Sequence, residues 1–200
     1  MGPPGTGKTM SARAIAHELN LPLLTIRFEG IITKFMGETA SKLRLVFDAM
    51  AETRGVYLFD EVDALGGQRV ANNDVGEIRR VLNSFLQFLE REDSVGLLIA
   101  ATNHPGLLDH AIFRRFDSIV EYPLPTGDEI TQIIKNRLAL LDLRGIAWKR
   151  VEIAAQGLSQ SEVTLAAERA AKDALLGHRE AVETNVLVSA LGARREALRK

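Results

Sequence analysis

Over the first 126 residues the apolar positions switch back and forth between two spacings. In Ser11–Leu19, Ala12, Ile15, Ala16 and Leu19 fall on one face of a helix. Pro22–Phe28, with Leu23, Leu24 and Ile26, predicts a short strand. In Glu38–Met50, Leu43, Val46, Phe47 and Met50 recur at helical intervals and predict a second amphipathic helix. Val56–Phe59 is an unbroken apolar run that ends in Asp60 and Glu61, the pattern of a strand covered on both faces. Asp74–Glu90 predicts a third helix, with Ile78, Val81, Leu82, Phe85 and Leu89 on its stripe and capping-box spacing between Asp74 and Glu77. Val95–Thr102 predicts another buried strand and Ser118–Leu124 a weaker one. Strands that alternate with helices predict an α/β fold over residues 1–126, a mostly parallel sheet flanked by helices.

Beyond Pro125 the rhythm is helical throughout. Ile130, Ile133, Ile134, Leu138 and Leu141 mark one amphipathic helix. Ser159–Gly177 marks another, with Ser159 and Glu162 spaced as a capping box and Gly177 as a stop. Thr184–Lys200 marks a last helix whose basic end suits a helix C-terminus. Residues 127–200 are therefore expected to form a small α-helical lid subdomain behind the α/β core.

Composition narrows the functional classes. The chain has 200 residues, 46% apolar and 26% charged, which is ordinary for a globular protein with a real core. A formal net charge of −1 speaks against a broad nucleic-acid footprint. Cysteine is absent, so disulfides and thiolate metal sites are excluded. His17, His104, His110 and His178 are scattered without ligand spacing. No apolar run approaches the roughly 20 residues that would span a bilayer, and no secretory signal opens the sequence. A reducing, cytoplasmic location is the expectation.

The opening stretch Gly2, Pro3, Pro4, Gly5, Thr6, Gly7, Lys8, Thr9 fits the phosphate-loop pattern G-x-x-x-x-G-K-[ST]. Glycines let successive backbone N–H groups turn inward as an anion nest, and the helix that follows adds its N-terminal dipole. Lys8 has the reach for terminal phosphates, and the Thr9 hydroxyl can ligate Mg²⁺. An acid at the end of a buried strand sits beside such a loop. Asp60 is thus a candidate for the Mg²⁺ shell and Glu61 for orienting the attacking water. With Met10, these residues make up the expected nucleotide site.

At this point the chain resembles an ATPase of the AAA+ superfamily, in the AAA clade, over nearly its whole length. Gly2–Thr9 matches Walker A and Val56–Leu65 matches Walker B. Ala100–Asn103 resembles sensor 1, which implies that Asn103 contacts the γ-phosphate or the attacking water. Asn103–Asp117 resembles the second region of homology, with the spacing of the katanin and endosomal-sorting group. By that resemblance Arg114 and Arg115 are arginine fingers that reach the nucleotide of a neighbouring subunit. A finger is worth about 10³–10⁵ in rate. Lys34, Phe35, Met36 and Gly37 fall where the family places a pore loop that grips extended polypeptide. The resemblance implies ATP and Mg²⁺ as ligands, a protein substrate and a homo-oligomeric ring, a hexamer. One departure is Gly157–Val163, where Gln160 and Ser161 replace the family's usual Gly and Ala. The capping residues Ser159 and Glu162 survive.

The family places a central strand ahead of the loop, and only Met1 stands there. Three expectations follow: the natural protein extends upstream, the remaining strands close the gap, or the copy is degenerate. Three functions compete. A ring ATPase that pulls on proteins accounts for every motif. A nucleic-acid remodeller shares the nucleotide site but calls for basic or intercalating loops where Phe35 stands. A non-hydrolysing assembly module would bind ATP without turnover.

Overall fold

The computed structural model of the chain describes residues 1–28, 38–66, 75–90 and 96–198, with residues 75–78 as backbone only. Lys34–Gly37 and the Asp74–Glu77 capping box lie outside what is described. The chain forms two compact units: Met1–Gly2 with Lys8–Glu121, and Pro3–Gly7 with Tyr122–Lys200.

The first unit holds α1 (Lys8–Glu18), β1 (Leu23–Arg27), α2 (Glu38–Glu52), β2 (Val56–Asp60), α3 (Val75–Glu90), β3 (Leu97–Ala100) and the one-turn α4 (His110–Phe113). Its sheet is parallel, in the order β1-β2-β3. Leu23 pairs with Val56 and Arg27 with Asp60, while Val56 pairs with Leu97 and Phe59 with Ala100. The apolar run Val56–Phe59 is central and buried on both faces, as its pattern predicts. Pleating splits it: Tyr57 and Phe59 face the cluster built by α2 and α3, and Leu58 faces Ala12 of α1 and Ala101.

The larger cluster is aromatic. Phe28 meets Phe85 edge-on with centroids 5.2 Å apart, Phe47 stacks on Phe59 at 5.7 Å, and Phe47 stacks on Phe88 at 5.1 Å. On α1 the buried contacts come from the alanines alone. Ile15 and Leu19, expected on the buried face, are exposed. Small side chains let the helix that follows the phosphate loop lie close to β2.

Ser118–Leu124, expected as a strand, carries no ladder. A strand is defined by its neighbour, and among the described residues β3 pairs only with β2. The Val120 carbonyl accepts from the Met1 amino group at 2.6 Å, and Gly2 N–H donates to the Thr102 carbonyl at 3.3 Å. Among the described residues, no strand therefore closes over that edge of β3.

In the second unit, α5 (Gly127–Arg137), α6 (Trp148–Ala155), α7 (Gln160–Leu176) and α8 (Thr184–Ala197) pack around Ile130, Ile134, Val151, Val163, Ala167 and Leu187. A full capping box opens α5: Glu129 Oε2 accepts from Thr126 N at 2.8 Å, and Thr126 Oγ1 accepts from Glu129 N at 3.4 Å. At α7 only half of the expected box forms. Ser159 Oγ accepts from Glu162 N at 3.4 Å, but the Glu162 carboxylate turns to the Arg194 guanidinium. The charged partner competes better than a backbone N–H. Gly177 ends α7 as expected, yet the left-handed residue is His178, with φ 52°. At the far end of α8, Arg195 donates to the carbonyls of Ile153, Ala154 and Gln156 at 3.1, 2.6 and 3.1 Å. The basic end of α8 thus serves the C-terminus of α6, which leaves its last carbonyls without helical partners.

Candidate functional site

In the first unit the C-terminal edge of the sheet gathers three turns. β2 ends at Asp60, β3 leads into Ala101–Asn103, and α1 begins at Lys8. The Thr9 hydroxyl donates to Asp60 Oδ2 at 3.1 Å, although 51 residues separate the two. Lys8 Nζ donates to the Gly2 carbonyl at 2.7 Å. Burial holds the Lys8 ammonium below its usual pKa, and the carboxylates of Asp60 and Asp63 pull the other way.

Glu61 follows Asp60 with φ 58° and ψ 43°, a left-handed conformation that costs a non-glycine residue about 1–3 kcal/mol. Its own N–H donates to Asp60 Oδ1 at 3.1 Å. A 3-10 turn, Val62–Leu65, follows directly, and Val62 N donates to the Ala101 carbonyl at 3.1 Å. Asp63 Oδ1 accepts from the buried Thr102 hydroxyl at 2.8 Å and from Asn103 N at 3.1 Å. Asn103 itself is half-buried.

The glycines of the loop all take positive φ, backbone that other residues rarely adopt: 145° at Gly2, 75° at Gly5 and 98° at Gly7. Pro3–Gly7 folds with the second unit. Thr6 Oγ1 donates to the Pro3 carbonyl at 2.8 Å, and the Gly5 carbonyl accepts from Ser161 N at 2.9 Å. A methyl group on Gly5 would stand 2.6 Å from Ser159 Oγ. The stretch that departs from the family pattern is therefore the one packed against Gly5. Met10, expected among the nucleotide-binding residues, is 69% exposed on α1.

Arg114 caps α4 and is exposed. Arg115 forms an ion pair with Glu90 at the end of α3. The acidic partner of Arg115 was invisible in the sequence, as were Asp63 and Thr102. An acid two positions past Glu61 is the only local sign of Asp63, and nothing local marks its partner Thr102, 39 residues away.

A hydroxyl and a carboxylate set edge to edge, as Thr9 and Asp60 are, form a hard-oxygen pair suited to Mg²⁺. Such an ion keeps most of its shell for water and phosphate rather than asking for an all-protein cage. A parallel sheet whose central strand ends in paired acids, with the first turn of α1 hydrogen-bonded to the first of them, in a chain that carries the glycine-rich phosphate-loop sequence, defines the phosphate-loop NTPase class. The family described as the ATPase family associated with various cellular activities, AAA, matches residues 1–124, and the chain belongs to it.

Its relatives include an uncharacterized AAA family ATPase, y4kL, of Sinorhizobium fredii, 35% identical over 91% of this chain and 55% of that protein. The proteasome-activating nucleotidase of Thermococcus onnurineus is 32% identical over 95% of this chain and 50% of its own length. That of Methanococcus maripaludis is 34% identical over 91% of this chain and 46% of its own length. The chain thus spans about half the length of these relatives. Among the described residues no helix is long and apolar enough to cross a membrane.

Proposed function

We propose that this chain hydrolyses ATP in the cytoplasm as one subunit of a homo-oligomeric ring, a hexamer, that acts on protein substrates. The observation that carries the reading is the Thr9–Asp60 hydrogen bond, which joins the phosphate loop to the end of the central strand. Mg²⁺, when bound there, supplies positive charge to the phosphate oxygens. The backbone N–H groups of the phosphate-loop stretch, Pro3 and Pro4 having none, are proposed to hold the phosphates, and Lys8 turns from Gly2 toward them. Glu61 accepts a hydrogen bond from the attacking water, and the Asn103 amide fixes the same water or the γ-phosphate. Relatives named for nucleotide use in proteasome activation support a protein substrate. Lys34, Phe35, Met36 and Gly37 are proposed to touch that substrate.

Arg114 and Arg115 are proposed to complete the neighbouring subunit's pocket. Arg114 stands exposed for the task, and Arg115 would leave Glu90 to join it. Specific ATPase activity measured against protein concentration tests the whole reading. A finger given in trans makes activity climb as subunits assemble, by about 10³–10⁵-fold. Activity that is flat across the assembly range refutes it, as does ATP bound without turnover.

A further inference from the structure

We infer that Asp63 is a positioning residue: it holds the turn that carries Asn103 and locks that turn to the one that carries Glu61. The inference rests on the proposed role of Asn103 in ATP hydrolysis and goes one residue behind it.

The geometry is specific. Both peptide groups that flank Asn103 are held by one short chain of hydrogen bonds. The N–H of Asn103 donates to Asp63 Oδ1 at 3.1 Å. The N–H of His104 donates to Thr102 Oγ1 at 3.0 Å, and that hydroxyl donates in turn to the same Asp63 oxygen at 2.8 Å. With the amide on each side fixed, the backbone at Asn103 has little freedom, and its Cα–Cβ bond has a set direction. Thr102 is 4% exposed, so water competes poorly for these bonds. The Asn103 side-chain amide makes no hydrogen bond to a described residue, which leaves it for a ligand.

Asp63 is also part of the 3-10 turn that begins right after Glu61. Val62 N–H on the Ala101 carbonyl adds a third tie between the same two turns. Glu61 and Asn103 therefore sit on two turns clipped together at their bases, with the Asp63 carboxylate as the shared acceptor. A carboxylate is the suitable group because one oxygen accepts both donors and neither bond needs a proton from Asp63. An apolar residue there would leave the Asn103 amide and the Thr102 hydroxyl in search of other partners. Supporting residues of this kind typically change activity by about 10–100-fold when removed.

The test uses the full chain, with turnover at saturating ATP and calorimetric affinity for ATP and for ADP as readouts. Asn103→Ala, Asp63→Ala and the double variant are compared. Asp63→Ala is expected to lower kcat by about 10–100-fold while ADP affinity stays within about 2-fold. The double variant is expected to match Asn103→Ala within about 3-fold, because Asp63 acts through Asn103. Asp63→Asn keeps an oxygen acceptor and is expected to lose much less than Asp63→Ala.

Wild-type turnover in Asp63→Ala, or losses that multiply in the double variant, overturns the inference while the reading of Asn103 stands. Wild-type turnover in Asn103→Ala overturns that reading itself. Should Asp63→Ala fail to fold, Thr102→Val and Thr102→Ser replace it. The valine removes the hydroxyl link and the serine keeps it, so equal turnover in the two would also overturn the inference.

Discussion

Gly66 closes the 3-10 turn that carries Asp63, and it allows no side chain. Its φ is −103°, which any residue can adopt, so the constraint is purely one of space. A methyl group built there would overlap the Leu107 carbonyl oxygen outright and stand 2.6 Å from its carbon and 3.2 Å from its Cβ. Ordinary contacts begin near 3.4 Å, so the two segments must part by about 0.8 Å at that carbon alone. Backbone meets backbone, and no rotamer change relieves it. Overpacking of this kind costs about 1–3 kcal/mol, and the rigid partner argues for the upper half, about 2–3. For a chain of this size that is roughly 4–12 °C in Tm.

Leu107 follows the turn that holds Asn103, and its N–H donates to the His104 carbonyl at 3.0 Å, so the displacement reaches the proposed catalytic amide. A misplacement near 1 Å can lower turnover by about 100-fold. Gly66→Ala should therefore lower both Tm and kcat, read by calorimetric melting and an ATPase assay. Gly106→Ala is the control, since a Cβ there meets nothing within 4 Å, and its Tm should stay within about 2 °C of the parent. If Gly66→Ala melts and turns over like Gly106→Ala, the packing argument is wrong.

Glu61→Gln should keep ATP affinity within about 3-fold while turnover falls by at least about 100-fold, measured by calorimetry and phosphate release. Wild-type hydrolysis by that variant would remove Glu61 from the proposed mechanism. Arg195→Ala takes one donor from each of three carbonyls at the end of α6, leaving Ile153 its bond from Gln156 N, and should lower the denaturant midpoint by an equivalent of about 1–2 kcal/mol. An unchanged midpoint would show that water replaces the guanidinium without loss. The Arg144 guanidinium first, and the Arg144 backbone N–H after it, hold the Asp142 carboxyl down at about 2. A depressed carboxylate stabilises the fold above its ordinary pKa, and that contribution fades as pH falls through about 2. NMR titration should place the Asp142 midpoint there, and Arg144→Ala should return it toward the ordinary carboxylate range.

What could be read in advance was what the chain encodes locally. The phosphate loop is eight consecutive residues, and the apolar run ahead of Asp60 announces a buried strand whose end must reach the C-terminal edge of a parallel sheet. Three kinds of feature escaped. Partnerships over long separations did, such as Asp63 with Thr102 and Arg115 with Glu90, because side-chain charge says nothing of its partner until the sheet order is known. Helix α6 escaped because Val151 and Ala155 alone make its buried face, too faint a stripe to register. Competition between partners also escaped: the spacing of Ser159 and Glu162 favours a reciprocal cap, but Arg194, 32 residues on, takes the carboxylate. Ser118–Leu124 fails for the opposite reason, since its alternation suits a strand but no ladder forms beside it.

On the role proposed for Glu61 in hydrolysis, its left-handed backbone sets durability against work. Glycine tolerates that conformation freely, so Glu61→Gly would relieve a strain of about 1–3 kcal/mol, offset in part by the greater freedom glycine gives the unfolded chain. A laboratory selection that rewards heat resistance alone would drift toward glycine at this one position and return hardy, inert proteins. Selection for turnover would hold the glutamate and accept the lower melting point.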